Sequence, residues 1–272
     1  MLGAGLLMAT SDGGLWTPAQ ISTELWLDAS DTSTLTLSGS SVSQWNDKSG
    51  NGKHAVQATA ASRPTYSATG LNSKPAVFFN GSQHYMRSSV GRFSLQTRSM
   101  YIVLATANTV ASTGIISLLP SGAESDSRAL DGMAYVGTTN QGFRAVGSLG
   151  TINEPLIKYD LLVTSSSGTS VWGEVKTIGT GTLYKNDTAV VTDSSFTEFN
   201  SVTGSDGYIL GARWTSGNVG SMGINYLQEI VYSGSTHDTA TRNRMFGYLA
   251  WRWGLTSLLP ADHPYKSAPP YL

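Results

Sequence analysis

The segment Asp47-Lys48-Ser49-Gly50-Asn51-Gly52 places oxygen-bearing side chains at the first, third and fifth positions of a loop and glycine at the sixth. That is the opening spacing of a calcium loop. The twelfth position is Ala58, so the bidentate glutamate that closes an EF-hand is missing. Asp47, Ser49 and Asn51 are therefore either a weak calcium site completed by water or a tight turn. In the turn, Asp47 and Asn51 bond backbone amides and the glycines take positive φ. A second constellation suits a sugar, whose ring has an apolar face and a polar rim, so that recognition pairs an aromatic platform with amide or guanidinium donors. Arg213-Trp214-Thr215-Ser216-Gly217-Asn218 offers all three just past a strand, and Tyr135, Arg144 and Trp172 stand on polar central strands. We take Trp214, Arg213, Asn218, Tyr135, Arg144 and Trp172 as the expected carbohydrate contacts. Trp26, Trp45, Trp251 and Trp253 have apolar neighbours and are expected in the core. The histidines at 54, 84, 237 and 263 are scattered and are expected to face solvent or begin a helix. A Gly-x-Ser-x-Gly elbow and a phosphate-cradling glycine loop are both missing. Asn80-Gly81-Ser82 and Asn186-Asp187-Thr188 match the glycosylation sequon and are read as turns.

The elements that must position these residues are strands. From Glu24 onward, β-branched and aromatic runs alternate with clusters of Gly, Ser, Asn and Asp. The expected strands cover 25–28, 42–45, 76–79, 99–107, 114–118, 133–137, 143–146, 156–164, 182–185, 189–192, 208–213 and 224–232. With no helical segments between them, an antiparallel two-sheet jelly-roll sandwich is the economical all-β solution. One α-helix is expected at 239–253, capped by Asp238, with Met245, Leu249 and Trp253 four apart on one face and Gly254 as its stop. Its second half is apolar nearly all round, which implies burial on more than one side, as a plug in the sandwich. Three parts follow: an N-terminal arm over 1–22, ordered only if a neighbour holds it, the sandwich over 23–235, and the helix with an extended surface tail over 236–272.

Composition narrows the function. Charged residues are 13% of the chain and the net charge is -1, so no field favours nucleic acid or an anionic membrane. Cysteine is absent, which removes thiol nucleophiles and thiolate metal sites. The apolar stretch at 2–10 lacks a preceding basic residue and a cleavage site and is not read as a signal peptide. The longest central apolar run, 100–107, is far short of the roughly 20 residues of a membrane span.

Four segments together resemble the concanavalin A-like, laminin-G-type lectin/glucanase superfamily. They are Leu25-Trp26-Leu27-Asp28-Ala29-Ser30 leading to Trp45-Asn46-Asp47; Lys74-Pro75-Ala76-Val77-Phe78-Phe79-Asn80-Gly81; Gly181-Thr182-Leu183-Tyr184-Lys185-Asn186; and Gln228-Glu229-Ile230-Val231-Tyr232-Ser233. Asp187 replaces the glycine usual in the third, and Gln228 stands where the family often has an acid. The ending 247–265 resembles such domains in tailed-phage and marine bacterial proteins. The resemblance covers about 24–265 and implies a jelly-roll with a carbohydrate-binding or adhesive role. Glycosidases of the superfamily carry E-x-D-x-E on one strand; the glutamates here, at 24, 124, 154, 174, 198 and 229, never alternate that way. The lyase-type run Gln-x-His is also missing.

The expectation is a non-enzymatic, lectin-like adhesion module displayed on a phage virion or outside the cell, binding cell-surface polysaccharide. The rival is a structural virion subunit (capsid decoration, head fibre or tail) that assembles as a homo-oligomer or with other virion proteins.

Overall fold

The computed structural model describes residues 14–88, 90, 93, 97–106, 113–120, 130–136, 142–148, 170–177, 180–194, 205–215 and 218–272. Its early strands are β1 (Leu25–Asp28), β2 (Leu35–Ser38), β3 (Ser41–Trp45), β4 (Ala55–Val56), β5 (Thr65–Leu71), β6 (Lys74–Asn80) and β7 (Met86–Ser88). Next come β8 (Arg98–Thr106), β9 (Thr113–Pro120), β10 (Leu130–Val136), β11 (Gly142–Ser148), β12 (Ser170–Thr177), β13 (Thr180–Lys185) and β14 (Thr188–Asp193). The last are β15 (Ser205–Leu210), β16 (Arg213–Thr215), β17 (Asn218–Gly220) and β18 (Ile224–Ser233), followed by the helix α1 (Thr239–Trp253). The expected strand at 156–164 lies outside the described residues.

All pairings are antiparallel. The main sheet runs β11-β10-β9-β15-β7-β4-β3-β5-β6-β18-β8-β12-β13-β14, with β1 added to β18 and β2 to β3. Strands distant along this path face each other across one core. Phe93 sets its ring edge against Tyr208 of β15 at 5.8 Å and against Tyr232 of β18 at 5.0 Å. Among the described residues the architecture is thus all-β with a single α-helix, near the C-terminal end, as the strand-and-turn pattern requires.

Two details correct the sequence reading. The run expected over 208–213 is broken after Leu210, because Gly211 has φ 76° and a Cβ there would lie 2.1 Å from the Phe79 ring. The helix does not plug the interior. In β18, Tyr232 points at Phe93 in the core, whereas Glu229 and Val231 lie on the other face, where α1 rests. On that face Phe246 of α1 stands edge-on to Tyr101 at 5.5 Å and fills the space over Gly173, where a Cβ would come within 2.7 Å of its ring. The central strands are therefore covered on both sides, which is why β18 is buried along nearly its whole length. The caps are as expected: Asp238 accepts the Thr241 N–H at 2.8 Å, and Gly254 is left-handed at φ 70°.

The first described residues pair with the C-terminal tail. Leu15 bridges Tyr271, Trp16 N–H donates to Pro270 O at 3.0 Å, and Leu272 N–H donates to Gly14 O at 3.0 Å. Residues 14–16 are therefore held by the chain's own tail, and residues 1–13 of the expected arm lie outside the described residues. The tail itself is folded down: Lys266 Nζ donates to Thr256 O, Ser257 O and Leu259 O at 2.7–3.0 Å. Among the described residues no helix is long and apolar enough to cross a membrane.

Candidate functional site

The fold gathers some of the expected sugar contacts and disperses others. Arg213, Trp214 and Asn218 share the β16–β17 ribbon, in the register Arg213↔Gly220, Trp214↔Val219 and Thr215↔Asn218, with Asn218 exposed. Tyr135 and Arg144 belong to the β10–β11 pair, opposite Phe143 and Ala134. Strand β9 stands between the two groups: Thr113 pairs with Tyr135, and Gly114 N–H donates to Ser221 O at 2.9 Å. Trp172 is a correction. It is 1% exposed on β12, between Ile102 and Lys185, and presents no face to a ligand, because strands covered on both sides absorb their large aromatics. Trp251 departs in the other direction: 39% of it is exposed, and its indole N–H donates to Tyr265 O at 2.8 Å. Trp26, Trp45 and Trp253 are buried as expected.

The Asp47 loop is knitted to its own chain. Asp47 Oδ1 accepts the N–H groups of Trp26 and Ser49, both at 2.9 Å, and Oδ2 accepts Ser49 Oγ at 2.8 Å and Lys53 N–H at 3.1 Å. Asn51 Nδ2 donates to Thr23 O at 2.9 Å, and Gly50 and Gly52 have φ 86° and 70°. A cation at Asp47, Ser49 and Asn51 would have to displace these hydrogen bonds. Among the described residues no three His, Asp or Glu side chains converge as metal ligands.

A carboxylate pair invisible to same-strand spacing lies beneath α1. Strand register sets Asp28 directly opposite Glu229, and both are fully buried. Glu229 Oε1 accepts Trp26 Nε1 at 2.8 Å and Tyr248 Oη at 2.9 Å; Oε2 accepts Trp253 Nε1 at 2.6 Å. Asp28 accepts Ser30, Lys48 Nζ at 3.0 Å and Arg252 Nη2. Burial, reinforced by Asp28, raises Glu229 to about 7 against the pull of Arg252 and the two indoles. For Asp28, burial is the largest single influence and acts upward, but Arg252, Ser30 and Lys48 together bring it below the ordinary carboxylate range. The other described glutamates are paired: Glu174 bidentately with Arg98 at 2.8 and 2.9 Å, Glu24 with Lys53 at 3.2 Å. The sequence signal for the pair was the matching of the first and last strands, which places two acids opposite each other.

His237 stands at the start of α1, one of the two placements expected, but is buried there; His263 is a correction, being buried and not solvent-facing. His263 Nε2 lies 3.1 Å from Asp187 Oδ2, and its Nδ1 accepts Tyr265 N–H at 3.1 Å, so it pins the tail to the β13–β14 turn. His237 lines a cavity of about 330 Å³ where β18 gives way to α1, together with Ile21, Ser22, Ser235, Thr236, Asp238 and Thr241.

With this geometry the class is fixed at the level of fold: an antiparallel β-sandwich with one helix on its outer face. No protein-family model and no curated protein matches the chain. Among solved structures, Trypanosoma rangeli sialidase in complex with sialic acid aligns over 84% of this chain and 33% of its own, at TM-score 0.57 and 11% identity. A GH54 α-L-arabinofuranosidase aligns over 76% of this chain and 50% of its own, at TM-score 0.55 and 14% identity. The chain thus spans about a third to a half of the enzymes it resembles. These identities establish shared fold alone. The expectation of a non-enzymatic adhesion module on a phage virion, or of a virion structural subunit, is corrected: the two solved structures named above are glycoside hydrolases, and neither is a virion protein.

Proposed function

We propose that this chain is the ancillary β-sandwich of a glycan-processing enzyme, built on the concanavalin A-like jelly-roll, which holds polysaccharide near a catalytic centre carried by another domain or subunit. The observation that carries this reading is one of extent: four-fifths of this chain superposes on a third to a half of a sialidase or an arabinofuranosidase. The burial of the opposed acids supports a non-catalytic part. Glycoside hydrolysis needs two carboxyl groups flanking a bound sugar, and Asp28 and Glu229 are sealed under α1. Such a module works outside the cell, where polysaccharide is found. It differs from a free adhesin in that its contribution is read out as turnover.

The test is a fusion of this chain to a glycoside hydrolase catalytic domain. On insoluble polysaccharide the fusion should turn over severalfold faster than the catalytic domain alone, with no change on a soluble nitrophenyl glycoside. Release of reducing sugar by the unfused chain, or equal rates with and without it on every polysaccharide in a plant and animal panel, overturns the reading.

A further inference from the structure

The cavity at the start of α1 is built around one imidazole whose tautomer the surrounding hydrogen bonds select. His237 backbone N–H donates to Ser99 Oγ at 2.8 Å. Tyr101 Oη lies 3.0 Å from His237 Nδ1, and the two rings stack at 5.6 Å. Burial holds the Tyr101 phenol far above its ordinary value, so it keeps its proton. Tyr101 Oη has no other hydrogen bond among the described residues, so its proton goes to Nδ1 and the ring's own proton resides on Nε2. Burial also drives His237 down to about 4, so the ring is neutral across physiological pH. Nε2 has no hydrogen bond among the described residues, although His237 is 8% exposed and lines the cavity.

The rest of the lining fixes what that N–H would meet. Ser22 and Thr241 bring hydroxyls from two segments, Ser235 Oγ is bonded to Ser233 Oγ at 2.9 Å, and Ile21 supplies one apolar side. Thr236 Oγ1 is committed to Lys176 O at 2.8 Å. The Asp238 carboxylate caps Thr241 N–H and places a negative charge at the rim, which disfavours an anion. The volume, about 330 Å³, lies at the small end of ligand cavities. We propose that this cavity is a subsite for one neutral monosaccharide unit of a glycan, with His237 Nε2–H donating to a ring or hydroxyl oxygen. The assignment rests on the glycan-processing reading above and places the sugar away from the aromatic residues Trp214 and Tyr135.

The experiment follows the four histidines of the wild-type chain, ¹⁵N-labelled at imidazole, by NMR. At pH 7 without sugar, His237 should show the Nε2–H tautomer. Titration with D-galactose, D-mannose, D-xylose or L-arabinose should move its Nε2 resonance saturably in the millimolar range, while those of His54, His84 and His263 stay fixed. His237→Phe, which keeps the ring stacked on Tyr101, should weaken the responding sugar at least tenfold. An Nδ1–H tautomer, no movement with any of the four sugars, equal movement of all histidines, or movement only with sialic acid overturns the subsite. The two claims separate cleanly: a moving His237 without polysaccharide enhancement by the fusion leaves the subsite standing and removes the ancillary role. Enhancement that His237→Phe leaves intact does the reverse.

Discussion

At the residue scale, single side chains hold segments that no strand ladder reaches. Asp47 accepts four hydrogen bonds, three of them from the backbone N–H groups of Trp26, Ser49 and Lys53. Asp47→Ala leaves those donors without a partner and should lower stability by about 2–4 kcal/mol. Urea unfolding should give the same loss in calcium and in chelator; a calcium-dependent stabilisation of wild type that the variant lacks would make the loop a cation site instead. Gln228 shows the same logic in a departure from the family pattern. Its Nε2 donates to Leu71 O and Pro75 O, both at 3.1 Å, and a carboxylate there would face two carbonyl oxygens in the core. Asp187 replaces glycine in the β13–β14 turn, where it and Asn186 both take positive φ, at 64° and 51°. What offsets that backbone cost is the ion pair with Arg242 Nε at 2.7 Å and the contact with His263. Neither substitution has a rationale until its distant partners are known.

At the scale of elements, α1 is clamped between the sheet and the tail. Its periodicity and caps were legible in the sequence, and so was its burial on more than one side. What covers the second side was not: Gly247 is where Tyr265 crosses the helix, and a Cβ there would lie 2.6 Å from Tyr265 Cβ. In an ordinary helix, Gly→Ala gains about 1 kcal/mol. Here Gly247→Ala should cost about 1–3 kcal/mol by overpacking. In a Tyr265→Gly background the same substitution should regain its usual favourable sign, so a double-mutant cycle by denaturant unfolding measures the clamp directly. Additive effects would mean that the tail does not rest on the helix. Strand β12 illustrates the opposite failure of legibility. Glu174 and Lys176 argue against a buried strand by composition, but Glu174 is buried because Arg98 on β8 neutralises it.

At the scale of the whole molecule, two buried groups on opposite ends of α1 set opposing pH dependences. Glu229 is raised from 4.5 to about 7, with Asp28, Arg252, Tyr248, Trp26 and Trp253 facing it. Between those values the folded state holds a proton that the unfolded chain has released, so this contribution falls as pH rises from 4.5 to 7. His237 is lowered from 6.5 to about 4, so between those values the unfolded chain holds the extra proton and this contribution grows with pH. Each spans at most about 3 kcal/mol, and the windows overlap, so the wild type should have nearly constant stability between pH 4.5 and 6.5. Glu229→Gln should uncover a stability that climbs with pH across this window, and His237→Phe one that declines. Melting temperatures at half-unit pH steps check both. Parallel flat profiles in the variants would show that neither group is shifted. Below pH 4 all three proteins should lose stability together as Asp28 protonates.

The sequence by itself determined what depends on neighbours along the chain: alternating strands, turn glycines, a capped helix and its stop. These follow from backbone sterics and local hydrogen bonding, which act over a few residues. Only the tertiary structure decided which residues converge. The opposition of Asp28 and Glu229, the contacts of Ser99 and Tyr101 with His237, and the locking of residues 14–16 by 270–272 join positions 136 or more residues apart. Strand order and the path of the tail set those meetings, and no local spacing in the chain encodes either one.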